Sequence, residues 1–231
     1  MRPLIGITLD WLESGSFSKR PHYVLRQAYF DAVYACGGLP IALPLQTEGH
    51  DVYLDLVQAV VIPGGDYPSP AWWYGKQDTT EPHPRATADV AMIRRVLART
   101  MPLLGICAGM QTLAVATGGH LHWNIKNALG VTGHRETDPT HTAHGVDIRL
   151  NTVLENLVGK PSVQVNSHHN EGVASVGPGV VVSATAPDGV IEAIEVEGHP
   201  FAVGVQWHPE FLLDNGIDKN LFEGLIAAAR K

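Results

Sequence analysis

The chain has 231 residues, 45% hydrophobic and 17% charged, and its 16 Lys+Arg against 23 Asp+Glu give a formal net charge of −7. That apolar share excludes a largely disordered or collagen-like chain. The acidic balance leaves no basic surplus for phosphates, so nucleic acid and anionic membranes are not expected partners.

Two cysteines cannot build a disulfide framework and fit a reducing compartment. The stretch Met1–Asp10 meets charge too soon for a signal peptide, and no apolar run approaches the roughly 20 residues of a membrane helix, so a cytoplasmic, soluble protein is expected.

Leu4–Leu9 reads as a first strand. A helix then opens at Pro21, with Val24, Leu25, Ala28, Ala32, Val33 and Cys36 on one face, and stops at Gly37-Gly38. Leu39–Leu43 and Ala59–Ile62 read as short strands, Val90, Ile93, Val96 and Leu97 mark a helix, and Pro102–Ile106 reads as a buried strand. Farther on, Val146, Ile148 and Leu150 alternate with polar neighbours. Val190–Val196 and Phe201–Gln206 flank Glu197-Gly198-His199-Pro200 as a hairpin, and Leu221, Phe222, Leu225 and Ile226 form a closing helix. Strands alternating with helices predict an α/β fold, a mainly parallel central sheet flanked by helices with a small antiparallel extension. No repeat or linker breaks the chain, so one domain over 1–231 is expected.

The most informative stretch is Gly105-Ile106-Cys107-Ala108-Gly109, between a buried strand and a helix running Met110–Thr117. Small flanking residues permit the sharp strand-to-helix turn of a nucleophile elbow. The helix N-terminus favours the thiolate, and the Ala108 backbone N–H points at a developing oxyanion. A lone cysteine is more often a small buried hydrophobe, which is the reading for Cys36; the elbow reverses that for Cys107. A thiolate attacking an amide needs a base and a group to orient it. His208-Pro209-Glu210 follows the apolar run Phe201–Val205, so His208 emerges at a strand end where Pro209 sets the geometry for Glu210 to hold the imidazole. The alternative is a partly exposed histidine ending a strand. The order Cys…His-x-Glu differs from that of an α/β-hydrolase.

With Gln111, these residues resemble class I glutamine amidotransferases. Further segments resemble the free-standing γ-glutamyl hydrolase branch (peptidase C26, the γ-glutamyl-γ-aminobutyrate hydrolases): Pro63-Gly64-Gly65-Asp66 with Pro68 and Tyr74-Gly75, Val165-Asn166-Ser167-His168-His169, Ala186–Ala193, Asp10 and the Ala32–Leu43 unit. The resemblance implies a flavodoxin-like amidotransferase fold, a small γ-glutamyl substrate and no cofactor. By the same resemblance, Cys107 forms a γ-glutamyl thioester, while His208 protonates the leaving amine and then activates water, oriented by Glu210. Backbone N–H groups of Gly65 and Ala108 form the oxyanion hole. Gln111 holds the γ-glutamyl group, and Asn166, Ser167 and His168 recognise its α-amino and α-carboxylate end; a polar interstrand loop is the other reading of those three. Ala108 stands where the branch often has arginine, and Asn170-Glu171 follow His169 where glutamine is common. A carboxylate at Glu171 near the leaving group is expected to favour an amine-bearing product.

No metal site is expected. His141-x-x-His144 lacks helical ligand spacing and cysteine partners, so His134, His141, His144, His168 and His169 are expected to be water-exposed loop histidines. Trp72, Trp73 and Tyr74 either line a substrate mouth or cap the core under a loop. Gly64-Gly65 lacks the rest of a phosphate-binding loop. A stand-alone γ-glutamyl hydrolase is the leading function. A glutaminase subunit feeding ammonia to a separate synthetase comes second, and a non-enzymatic binder on the same scaffold comes third. A homodimer is the base-rate expectation for a soluble enzyme.

Overall fold

Buried strands flanked by glycine turns set the architecture. The computed structural model describes residues 1–76, 81–136, 138–214 and 216–230. In chain order it runs β1 (Leu4–Thr8), β2 (Asp10–Leu12), β3 (His22–Val24), α1 (Gln27–Ala35), β4 (Leu39–Leu43), α2 (His50–Leu56), β5 (Ala59–Ile62), α3 (Pro84–Ala98), β6 (Leu103–Ile106), α4 (Ala108–Ala116), β7 (His120–His122), α5 (Ile125–Leu129), β8 (His144–Ile148), α6 (Val153–Val158), β9 (Ser162–Val165), β10 (Gly172–Ser175), β11 (Val180–Thr185), β12 (Ile191–Val196), β13 (Ala202–Val205) and α7 (Gly216–Ala228).

The main sheet has the order β4-β1-β5-β6-β13-β12-β11-β8-β9, with β10 joining β12 to β7. Neighbours from β4 through β13 are parallel, and every pairing beyond β13 is antiparallel. The expected parallel sheet with an antiparallel extension is therefore present, and the hairpin around Gly198 joins the two halves. Alternation within the parallel strands divides the core. Ile5, Ile7, Val61, Leu104 and Ile106 pack under α1 and α7, whereas Val60, Ile62 and Leu103 pack under α3 and α4. Strands buried on both faces explain the near-continuous apolar runs that made them legible.

Two expectations shift, and one open question is resolved. The helix expected from Pro21 begins only at Gln27, because His22–Val24 is extended and pairs antiparallel with Asp10–Leu12. Val24 serves that ribbon rather than the helix face. Leu150 lies beyond β8 and is exposed, because the chain turns at Asn151, whose φ is 61°. Of the aromatic cluster, Trp73 is a buried core residue and Trp72 is exposed.

Candidate active site

Strand β6 delivers Cys107 to the N-terminus of α4. The turn is tight enough to need its glycines: a Cβ at Gly105 would stand 2.7 Å from the Gly109 carbonyl oxygen, and one at Gly109 would strike the Ile62 carbonyl. Between them Cys107 adopts φ 50° and ψ −106°, a conformation that costs a non-glycine residue about 1–3 kcal/mol and is found where function holds the side chain. The thiol is buried, and Gln206 Nε2 donates to Sγ at 3.5 Å. Cys36, by contrast, caps α1 half-buried, and burial together with Glu223 pushes its thiol up to about 11.

His208 stands three residues beyond the end of β13, after Gln206 and Trp207. A 3-10 turn over Pro209–Phe211 folds Glu210 back, placing Glu210 Oε1 2.8 Å from His208 Nδ1. His208 and Cys107 meet across Gly64, where an added Cβ would lie 2.7 Å from His208 Cε1 and 3.3 Å from Cys107 Cβ. Burial disfavours the imidazolium, but the negative charges of a Cys107 thiolate and of Glu210 outweigh it and raise His208 to about 10. The imidazole beside the Cys107 sulfur is thus held ready to carry a proton. Tyr29, fully buried, accepts from the Gly64 N–H at 2.9 Å; burial first, then Glu210, holds its hydroxyl protonated well beyond the usual range.

Cys107, Ala108, Gly65, Gln111, His168 and His208 all border one cavity of about 270 Å³. Among the described residues nothing accepts from the backbone N–H of Gly65 or of Ala108, so both are free to meet an oxyanion. Gln111 Nε2 donates to Gln206 Oε1 and to the Glu171 carbonyl, each at 3.1 Å, which leaves its own oxygen for the cavity. Four charged residues also border the cavity, Arg26 and Arg135, Asp66 and Glu171. Glu171 receives hydrogen bonds from Tyr74 at 2.7 Å and Ser69 at 3.0 Å, and burial raises its carboxyl despite them.

Asn166 and Ser167 stand elsewhere. Asn166 is fully buried beneath His208, accepting from its backbone N–H at 2.7 Å and donating to its carbonyl at 2.8 Å and to the Pro139 carbonyl at 2.6 Å. Ser167 Oγ donates to the His134 carbonyl at 2.8 Å. Neither borders the cavity, so of the three polar loop residues only His168 faces it.

The expectation of exposed histidines is corrected as well. His134 and His169 are buried and His144 is half-buried, drawn inward by Glu192. His141 is exposed as expected.

Arg85 was not singled out in the sequence. Its fully buried guanidinium lies 3.0 Å from both Asp89 and Asp10, donates to the carbonyls of Pro63 and Gly64, and lies under the Tyr67 ring at 4.9 Å. It therefore fixes the loop that presents the Gly65 N–H, and a side chain at Gly65 would collide with it. Its only local signal is Asp89 four residues on along α3. Gln206 and Arg135 were missed because a strand-end amide and a loop cation carry no spacing signature.

The chain matches the peptidase C26 family over residues 3–210. It is 36% identical to the γ-glutamyl-γ-aminobutyrate hydrolase PuuD of Escherichia coli K12, over 89% of this chain and 86% of that one. It is 39% identical to a Mycobacterium tuberculosis protein named as a glutamine amidotransferase, over 99% of this chain and 75% of the other. In fold it is similar to the glutaminase domain of Trypanosoma brucei CTPS, with a TM-score of 0.66, 15% identity and coverage of 99% and 94%. Together with the elbow, the His208–Glu210 pair and the mixed sheet, these matches establish that the chain belongs to the peptidase C26 family.

Proposed function

We propose that this protein is a cysteine-dependent hydrolase that cleaves the γ-glutamyl amide of a small amine, γ-glutamyl-γ-aminobutyrate or a γ-glutamyl polyamine, to glutamate and the amine. The observation that carries this is the strained Cys107 elbow beside His208–Glu210, opening on a cavity sized for a small molecule. The Cys107 thiolate attacks the amide carbonyl, and the oxyanion falls to the N–H groups of Gly65 and Ala108. His208 then gives its proton to the leaving amine as the carbon–nitrogen bond breaks. Forming the thioester removes the thiolate charge that helps to raise His208, so the imidazole becomes a competent base and takes a proton from the water that releases glutamate. Arg26 and Arg135 supply positive charge for the α-carboxylate, and Asp66 and Glu171 supply negative charge for amino groups. Asn166 acts by holding the His208 backbone, and Ser167 by holding the loop.

A second reading, a glutaminase that delivers ammonia to a partner, draws support from relatives named as glutamine amidotransferases. Glutamate release from glutamine, γ-glutamyl-aminobutyrate and γ-glutamyl-putrescine, with Cys107→Ala as blank, separates the two. Fast release from a γ-glutamyl amine and little from glutamine is expected; release from glutamine alone sinks the hydrolase. Glu171→Gln is expected to shift preference from the putrescine toward the aminobutyrate amide, and an unchanged preference removes Glu171 as a selector.

A further inference from the structure

Behind the cavity wall, three imidazoles converge on one carboxylate. Glu192, on β12, is fully buried, and its Oε1 lies 3.2 Å from His134 Nδ1, 3.5 Å from His169 Nε2 and 3.6 Å from His144 Nε2. Among the described residues, none of these three nitrogens and neither oxygen of Glu192 has an aligned hydrogen-bond partner, although all are buried. Such orphaned polar atoms are costly and need an account.

The other nitrogen of each ring is committed. His144 Nδ1 meets the Gly145 carbonyl at 3.1 Å, His169 Nδ1 meets the Glu171 carbonyl at 2.8 Å, and His134 Nε2 meets Asp188 Oδ2 at 2.9 Å. Carbonyls and carboxylates only accept, so the ring nitrogen that meets each of them carries a proton there. The inner nitrogens of the three rings are left to share a positive charge, a proton or a metal ion, with the Glu192 carboxylate, because lone pairs and a carboxylate alone would repel one another in a buried space. Histidines that ligate metals show this same arrangement, with the second nitrogen donating to a carbonyl or carboxylate.

The spacing agrees. Tetrahedral zinc with bonds of about 2.0–2.1 Å sets neighbouring ligand atoms about 3.3 Å apart, close to the three separations around Glu192. The ligand atoms of His134, His144 and Glu192 all lie within 4.8 Å of one another, and His169 approaches the same carboxylate oxygen.

We propose that His134, His144 and Glu192 form a three-ligand site for a divalent transition metal of the zinc class, with His169 beside the shared carboxylate oxygen. The site would tie β8 and β12 to the two segments that wall the cavity. One carries Arg135 beside His134; the other carries His168 and Glu171, and the two are already joined by the His169 N–H to His134 carbonyl bond at 2.8 Å. Three protein ligands on separate segments leave a fourth position to be filled by water or, after a small shift, by His169.

The test uses tag-free, chelator-treated protein carrying Cys107→Ser, so that the nucleophile offers no thiolate. Titration with Co²⁺ is expected to saturate at one equivalent with the visible absorption of tetrahedral cobalt, which Zn²⁺ then displaces. His144→Gln and Glu192→Gln, checked for native circular dichroism, are each expected to weaken Co²⁺ by at least the roughly 100-fold that loss of even an outer-shell partner can cost. Failure of the Cys107→Ser protein to take up cobalt overturns the proposal and leaves a proton-sharing imidazole–carboxylate cluster; so does uptake unchanged in both variants. Should the variants not fold, X-ray absorption of the zinc-loaded full-length protein decides: a shell of nitrogen and oxygen supports the site, and a sulfur neighbour overturns it.

Discussion

The elbow around Cys107 and the polar wall behind the cavity reach a defined geometry by opposite routes. The elbow is contiguous: β6, Gly105, Cys107, Gly109 and α4 follow one another, and its glycines are required by backbone that passes too close for a side chain. The wall draws His134, His144, His169 and Glu192 from separate loops and strands of the antiparallel half. Steric demands within a turn leave their mark on neighbouring residue types, whereas the convergence of polar groups from distant strands leaves none.

Substitutions test that contrast. Cys107→Ala is expected to lower glutamate release on the order of 10⁴-fold or more, as loss of a nucleophile does in comparable triads. Cys107→Gly should be equally inactive yet more stable than the alanine variant by about 1 kcal/mol, because glycine meets φ 50° without penalty. Equal denaturant midpoints for the two would mean that the elbow stores no strain.

Arg85→Met attacks the non-local part. It strips the partner from Asp89 and Asp10 and frees the Pro63-Gly64 carbonyls, with an expected loss of about 3–5 kcal/mol in chemical denaturation. A loss below 1 kcal/mol would show that the Pro63-Gly64-Gly65 loop stands without its arginine.

Asn166→Ala separates positioning from substrate contact. Loosening the His208 backbone should lower kcat by up to about 100-fold with KM nearly unchanged. A rise in KM with kcat intact would return Asn166 to the substrate.

The smallest effect is expected at Asp218, which accepts from Nε1 of Trp207, the residue before His208, at 2.9 Å. Burial first, then Glu210, raises its carboxyl from 3.8 to about 7, opposed by the Trp207 hydrogen bond. The folded state therefore holds this proton more tightly than the unfolded chain. The resulting stability is fully present below pH 3.8 and is lost as pH rises through 7. Asp218→Asn keeps an acceptor and removes the titration, so unfolding free energies from pH 4 to pH 8 should decline less in the variant; parallel profiles would rule the carboxyl out.

Much of the candidate site was legible because it is local. Cys107, Ala108, His208 and Glu210 lie in two short segments whose strand-to-turn transitions are written in glycine, proline and apolar runs. Gly65 was legible through its Pro-Gly-Gly neighbours. The hidden residues act across the fold. Arg85 looks like any exposed helix cation until α3 packs it against the glycine loop. Asn166 and Ser167 look like substrate contacts until the loop turns them inward, and His134, His144 and His169 look like surface histidines.

By itself, the sequence determined the alternation of buried strands and helices, the elbow around Cys107 and the placing of His208 and Glu210 beyond the last strand. These follow from backbone sterics and apolar periodicity, which act over a few residues. Only the tertiary structure decided which polar side chains face the cavity, which brace it from behind, and which converge on Glu192. Those outcomes depend on burial and on partners brought together by strand pairing, and a buried polar group takes its role from the groups that satisfy it.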